Sequence, residues 1–482
     1  MTHDDRHKPA QPRPRPLSAR IALALAPAAG VLARQAMAAW HRPAFAYGLC
    51  MALAVGQLGR SSGELLPGIP STLWVTMAFL TLALLQRRWT HAWSAWRACA
   101  AAFWSYAFVC LIEGLSVPFR GGMAYLPFAL GRWAFLAMCV TTAAMVEDLD
   151  ALRDVLAGNA YASGIIGLLT VLHTTGIVHV PFGLDLMPAR SFGPIHMPFP
   201  RTLGVTMSPD KFAIIAALAV LSIGLTSHGP RPIVRPRWVA LLLALLTLLA
   251  CLVTQTRAVY LGIVFALVLT VFFRLPERSR ATSRLGMAGP ERSRATSRLG
   301  MAGPERLLRS CFSMATGAWA AVLLFALALV MANVVFAHSP PDALLETGTS
   351  AGARNIEIRI QANAQALQFL RRWPWLGIGH GEFEALTNED NGVHNHFLEQ
   401  MVATGLLGGL PYWLFHALIL VATLRACGDD RPELGGLGCV LAGATAVTFL
   451  MYQFFPGYLT TPFAVVCGLV AALARQHKRA EA

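Results

Sequence analysis

Two stretches of this chain, Trp238 to Val253 and Cys311 to Pro341, contain no Asp, Glu, Lys or Arg. A helix rises 1.5 Å per residue and a bilayer's hydrocarbon core is about 30 Å thick, so about 20 apolar residues cross it. Runs of this kind recur along the chain, with starts near Ala44, Ile69, Ala98, Met123, Ala160, Asp210, Trp238, Ala258, Cys311, Asn395, Gly435 and Thr460. With 55% hydrophobic and 13% charged residues, against about 25% charged in soluble domains, the chain cannot dress a water-facing surface along its length. The expectation is an all-α, polytopic membrane bundle of about 12 spans. Ile21 to Trp40 is apolar but holds Arg34 and reads as an interfacial helix.

The basic residues set the orientation. With twelve spans both termini share a side, and 28 of the 39 Lys and Arg fall there. They lie in the tail through Arg42, in Arg87 to Arg97, at Arg153, in Arg231 to Arg237, Arg274 to Arg309 and Arg425 to Arg431, and in Arg475 to Arg479. Positive charge marks the cytoplasmic side, so both termini are expected inside. All but one of the remaining basic residues, Arg60, Arg120, Arg190, Arg201, Lys211, Arg257, Arg354, Arg359, Arg371 and Arg372, then lie on or near the outer side, against the trend. Arg132 falls inside a span.

This layout excludes several classes. The net charge of +14 sits in short clusters between apolar runs, without a zinc-finger, helix-turn-helix or aromatic RNA-binding motif, so no nucleic-acid partner is expected. The nine cysteines form no Cys-x-x-Cys pair, and Cys110, Cys139, Cys251 and Cys467 lie inside apolar runs. They read as small buried hydrophobes, and neither a metal site nor a disulfide framework is expected.

Four segments follow. Residues 1–43 are a cytoplasmic tail with the interfacial helix. Residues 44–336 hold nine spans, with a periplasmic loop at 180–209 and an Arg-rich cytoplasmic loop at 274–310. Residues 337–394 form a long, partly helical periplasmic loop, and 395–482 hold the last three spans and a cytoplasmic tail. The Arg-rich loop carries PERSRATSRLGMAG twice in tandem, at 276–289 and 290–303; an identical copy reads as a neutral loop expansion. In the long outer loop Ile356, Ile360, Ala364 and Leu367 recur at helical spacing, which predicts an amphipathic helix lying against the membrane or the bundle. Trp373-Pro374 ends it, and Gly377 and Gly379 permit a tight turn.

The chemistry-bearing residues gather on the outer side. His394-Asn395 is followed after nine residues by Gly405-x-x-Gly408, and Pro374-x-x-Gly377-x-Gly379 precedes it. Thr254-Gln-Thr-Arg257 forms a short hairpin between two spans, and Arg201-x-x-Gly204 leads to Pro209-Asp210. This set resembles the O-antigen ligase and polymerase superfamily of bacterial envelope glycosyltransferases, most closely the lipopolysaccharide O-antigen ligases. The His-Asn-x9-Gly-x-x-Gly pattern fits at each fixed position, and Arg359 stands fifteen residues before Pro374 as in the family. Asp210 stands where the family has Asn, and Asn363 where it has an apolar residue or Trp, so Arg354 is the alternative to Arg359. The resemblance runs from about Arg201 to the C-terminus.

It implies a GT-C-like fold, a bacterial inner-membrane location and a periplasmic active site without cofactor or metal. The partners implied are undecaprenyl-diphosphate-linked glycan, a lipid A–core acceptor and membrane lipids. His394, Arg257 and Arg359 are the implied catalytic residues; Arg201, Arg354, Asn395 and Lys211 are assigned to substrate binding. The chemistry agrees independently. A departing diphosphate gathers charge that an arginine fork matches, and a hydroxyl acceptor needs a base of near-neutral pKa, for which histidine is suited. His396 reads as structural, His380 as a loop residue, Gly405 and Gly408 as a close helix-packing face, and Glu382, Glu384, Glu389 and Asp390 as a solvated acidic group. A polymerase of the same superfamily is the alternative, and a lipid-linked sugar transporter the alternative of another class; the nearly charge-free midspans argue against the latter.

Overall fold

The computed structural model describes residues 30–31, 33–56, 64–66, 69–117, 126–174, 186–187, 191–192, 195–196, 201–202, 209–226, 231–254, 349–380, 382–387, 393, 395–429, 431–452 and 460–481. In chain order the elements are α1 (Pro43–Gly56), β1 (Glu64–Leu66), β2 (Ile69–Pro70), α2 (Ser71–Leu85), α3 (Trp89–Ala98), α4 (Ala100–Ser116), α5 (Leu126–Met145) and α6 (Leu149–Thr174). Four short strands follow, β3 (Leu186–Met187), β4 (Ser191–Phe192), β5 (Ile195–His196) and β6 (Arg201–Thr202). The rest is α7 (Pro209–Thr226), α8 (Arg237–Thr254), α9 (Thr349–Arg372), α10 (Glu382–Thr387), α11 (His396–Cys427), α12 (Pro432–Tyr452) and α13 (Thr460–Glu481). The fold is thus helical, with the small exception of two-stranded antiparallel ribbons, β1 with β2, β3 with β6 and β4 with β5.

The spans expected from Ala258 and Cys311, the tandem repeat and the N-terminal tail lie outside the described residues. Every other expected span start lies on a helix or just before one. Among the described residues three helices are long and apolar enough to cross a membrane, Leu126–Met145, His396–Cys427 and Glu433–Tyr452. The pair α3 and α4 makes a fourth if it is counted as one bent span, and Pro43–Val55, Thr72–Leu85, Ile214–Thr226 and Arg237–Cys251 are shorter apolar helices. The count of twelve therefore remains a reading of the sequence. The basic stretch Arg87 to Arg97, expected as a loop, is instead mostly helix α3, set at 104° to α4 across Cys99. Its Ala92, Ala95 and Trp96 are buried while Trp89 and Trp93 are exposed, a spacing that gives one face to the bundle and one to the surroundings.

Close helix contact replaces the hydrophobic driving force that lipid does not supply. α1 crosses α6 where Gly48 and Gly158 face each other's backbones; a Cβ on Gly48 would strike the Val155 carbonyl, and one on Gly158 the Phe45 carbonyl. α11 lies between α4 and α12, and α13 packs on α5. Tyr106, Phe135, Tyr412, Phe415, Tyr452 and Phe463 fill the middle and are all buried, with tilted and edge-on ring pairs such as Tyr106–Phe415 at 4.8 Å and Phe135–Phe415 at 6.0 Å.

One end of the bundle is ionic. Arg42 pairs with Asp154 at 2.6 Å, Arg88 with Glu147 at 2.8 Å, and Arg153 with Asp150 at 2.6 Å and Glu433 at 3.1 Å. Arg475 of α13 donates to the carbonyls of His91 (2.8 Å) and Glu147 (2.9 Å). These basic residues are among those that the charge pattern puts on one side, and the structure gathers them. Cys427 and Cys439 form a disulfide there. This corrects the reading of all cysteines as isolated hydrophobes: the α11–α12 turn brings the two Cα atoms to 4.8 Å, which no short spacing announces. Cys110, Cys139, Cys251 and Cys467 are buried and free, as expected.

Asp429, in that same turn, accepts from Arg431 (2.6 Å) and His477 (2.5 Å). The Arg431 hydrogen bonds hold its carboxyl well below the usual carboxylate range. A depressed folded-state pKa contributes stability that is complete above the unfolded value of about 3.9 and is lost as pH falls through the folded one. Asp429→Asn is therefore expected to flatten the acid side of the stability profile below about pH 4, measured as the thermal midpoint of the detergent-solubilised protein; an unchanged slope would refute the linkage.

Candidate active site

Helix α9 carries Arg354 and Arg359 and stops at Arg372, where Trp373-Pro374 follows. Its inward face is small: Ala362 and Ala366 are buried in a cluster with Phe383 of α10, Val393 and Val402 of α11. The expected apolar stripe points the other way, with Ile360 65% and Leu367 48% exposed. The alanines, not the larger residues, allow α9 to lie close on α11.

The chain then turns through Gly377 and Gly379, both at positive φ (68° and 107°), as the sequence predicts. The turn docks into a break in α11. Gly405 there has φ 64° and ψ −165°, so the N–H groups of Leu406 and Leu407 cannot reach the carbonyls of Val402 and Ala403, four residues back. The docked turn exchanges partners with them. Ile378 N–H donates to Val402 O and Gly379 N–H to Ala403 O, both at 2.9 Å, while Leu406 N–H donates to Pro374 O at 2.7 Å and Leu407 N–H to Trp375 O at 3.1 Å. All four groups are satisfied. The segments are so close that a Cβ on Gly405 would strike the Trp375 carbonyl, and one on Gly377 the Val402 carbonyl. This corrects the reading of Gly405 as a helix-packing residue: it opens the helix to receive a loop. Gly408 faces the Thr404 side chain of its own helix.

Beneath this joint lies a buried polar cluster. Glu113 of α4 is fully buried, and its Oε1 accepts from His380 Nε2 at 2.7 Å and from Gln400 Nε2 at 3.1 Å. Arg132 of α5 stands 3.6 Å from the same oxygen, donates to Gln400 Oε1, and lies over the Tyr412 ring at 5.4 Å. Phe128 stacks on the His380 ring at 5.5 Å. The partner of Arg132, left open by the sequence, is internal. His380, expected as a loop residue, is instead held in the cluster, and His396, expected to have no catalytic role, is 1% exposed, its Nε2 2.6 Å from Tyr412 Oη and its Nδ1 3.2 Å from Glu399 Oε2. Glu113, Gln400 and Tyr412 were missed. An acid inside one apolar run and an arginine inside the next was the available signal.

Of the residues assigned to the site, His394 and Arg257 lie outside the described residues. Arg354 and Arg359 are on α9, Lys211 is in the first turn of α7, and Arg201 is in β6, paired with Met187. β6 lies against α8, which runs to Thr254, three residues before Arg257. Asn395 is the N-cap of α11, its side-chain oxygen accepting from Leu398 N–H at 3.0 Å. His394 is thus bracketed by Val393, buried against Ala362 and Ala366, and by the cap of α11. The acidic group is divided: Glu382 begins α10 and is exposed, while Glu389 and Asp390 lie outside the described residues. The described residues contain no cluster of three or more metal-ligating side chains.

Comparison with known families bears on this arrangement. Residues 241–413 match the family model of the O-antigen ligase domain. Over this stretch the chain is similar to the O-antigen ligase and polymerase superfamily. The match covers just over a third of the chain and includes Arg257, Arg354, Arg359, His394, Asn395 and the glycine joint; Arg201 and Lys211 precede it. It supports the coarse activity, transfer of a lipid-linked glycan by a membrane protein. No curated protein matches the chain.

The joint makes a measurable demand. Gly405→Ala is expected to cost more than about 2 kcal/mol, because it combines left-handed strain with a backbone clash. Gly436→Ala, whose Cβ meets nothing within 4 Å, is expected to leave the thermal midpoint nearly unchanged. Equal midpoints for the two variants would contradict the geometry.

Proposed function

We propose that the chain moves O-antigen glycan from undecaprenyl diphosphate to a sugar hydroxyl of lipid A–core, at the periplasmic face of the bacterial inner membrane. One observation carries the reading most directly. Ala362, one turn beyond Arg359, and Val393, which precedes His394 in the chain, share one small buried cluster, which supports a site drawn from α9 and the start of α11. The charge pattern assigns this end of the bundle to the outside.

In this reading His394 takes the proton of the acceptor hydroxyl as its oxygen bonds to the anomeric carbon. The bond from that carbon to the diphosphate breaks, and the lipid diphosphate leaves with the electron pair. Arg257 and Arg359 meet the growing charge with fixed guanidinium forks, Arg354 being the alternative to Arg359. Arg201 and Lys211 add positive charge for the lipid-linked donor, and Asn395, the residue after His394, caps α11. Direct displacement inverts the anomeric centre. No step calls for a metal or cofactor.

His394→Ala is expected to lower transfer by about 10²- to 10⁴-fold, the span typical of a lost general base. Arg257→Ala is expected to lower it by about 10²- to 10³-fold, and Arg257→Lys is expected to recover it poorly, since an ammonium lacks the fork. The readout is the lipopolysaccharide banding pattern of a deletion strain carrying each variant at normal levels. Core without O-antigen is the ligase outcome; core capped by one repeat unit would indicate a polymerase instead. Full-length capping by both alanine variants would overturn the assignment.

A further inference from the structure

The cluster of Glu113, Arg132, Gln400 and His380 joins four separate pieces of the chain: α4, α5, α11 and the turn after α9. Each member is nearly or wholly withdrawn from the surface. The exposure of Glu113 and Gln400 is 0%, that of Arg132 is 8%, and the His380 side chain is 7% exposed. A structure that needed only apolar filling here would not take on a full charge pair, because burying two ions costs several kcal/mol each. The cluster also has direction. Two donors and the Arg132 guanidinium converge on one oxygen of Glu113, and the donor that comes from outside the bundle is His380. His380 follows Gly379, whose N–H is one of the four bonds of the Gly405 joint. Upstream of the joint, fifteen and twenty residues before Pro374, are Arg359 and Arg354; downstream, fourteen residues from His380, is His394.

We infer that Glu113, Arg132 and Gln400 form a latch for His380 that positions the outer segment, so that His394 and the α9 arginines keep a working separation. These four are positioning residues: none needs to touch substrate. The backbone joint ties the turn to α11 alone, through four hydrogen bonds. The His380–Glu113 bond ties it also to α4 and, through Arg132, to α5. Phe128, stacked on the His380 ring, limits its rotation. The inference rests on the glycan-transfer reading above.

The test uses full-length protein in nanodiscs with purified undecaprenyl-diphosphate-linked glycan and lipid A–core. His380→Ala is expected to lower kcat at least tenfold with donor KM within about twofold. His380→Gln, whose amide N–H can replace the imidazole donor to Glu113, is expected to regain most of that loss. The double variant Glu113→Leu with Arg132→Met removes both charges together, so the protein should fold with a thermal midpoint near that of the native chain and still show the lowered kcat. Native kcat in the double variant, with a native midpoint, would overturn the latch. So would a His380→Gln variant as impaired as His380→Ala, which would give the imidazole a chemical role. His394→Ala in the same assay keeps the two readings apart: if it transfers normally, the active-site assignment fails, whereas loss in His394→Ala beside native kcat in His380→Ala and in the double variant sinks the latch alone.

Discussion

In hydrocarbon a backbone N–H or C=O without a partner costs several kcal/mol, so a membrane helix can open only where another segment supplies what the opening removes. α11 opens at Gly405, and the turn from Pro374 to Gly379 supplies two donors and two acceptors in return. The segment of α9, the turn and α10 is therefore not appended to the bundle. It completes a helix of the bundle, and neither part has a full set of hydrogen bonds without the other. The arrangement of α9, the short helix α10 and the start of α11 follows from this exchange, and so does the small alanine face by which α9 approaches.

The same constraint governs the charges. Within the apolar core a lone arginine or glutamate is expensive, and each is found with a partner: Arg132 with Glu113 and Gln400 at one end of the bundle, Arg475 with backbone carbonyls at the other. The two ends differ in kind. One is a belt of partly exposed ion pairs among Arg42, Arg88, Arg153, Arg231 and their carboxylates. The other is a closed knot with aromatic walls, Phe128 on one side and Tyr412 on the other. Exposed pairs contribute little each; the closed knot loses several kcal/mol if one member alone is removed.

Much of this was legible in the sequence, for identifiable reasons. Apolar runs are a one-dimensional signal, and the starts at Asn395, Gly435 and Thr460 meet helices within a few residues. The glycines at 377 and 379 announce a turn because a side chain resists positive φ there. The family was legible because His394, Asn395, Gly405 and Gly408 stand at fixed spacing. The partners across the bundle were not legible. Glu113 and Gln400 are 287 residues apart, and nothing local to either indicates the other. The sequence left α9 against either the membrane or the bundle; in a membrane protein the larger apolar residues need not face the protein, and here Ile360 and Leu367 point outward while Ala362 and Ala366 make the contact. Gly405 was read as a packing glycine because a helix break cannot be told from close packing by residue type alone.

The buried knot also bears on the order in which the chain is assembled. Glu113 and Arg132 belong to consecutive helices and enter the bilayer early, whereas Gln400 and His380 are made 268 and 248 residues after Arg132. At the usual pace of about 5–20 residues per second, that gap lasts roughly 10–50 s. Until then Glu113 and Arg132 have only each other of the four members of the knot. The late arrivals do not merely add to a finished core. They complete the contacts of a pair already made, so the turn that carries His380 docks onto helices that precede it in the chain by more than two hundred residues.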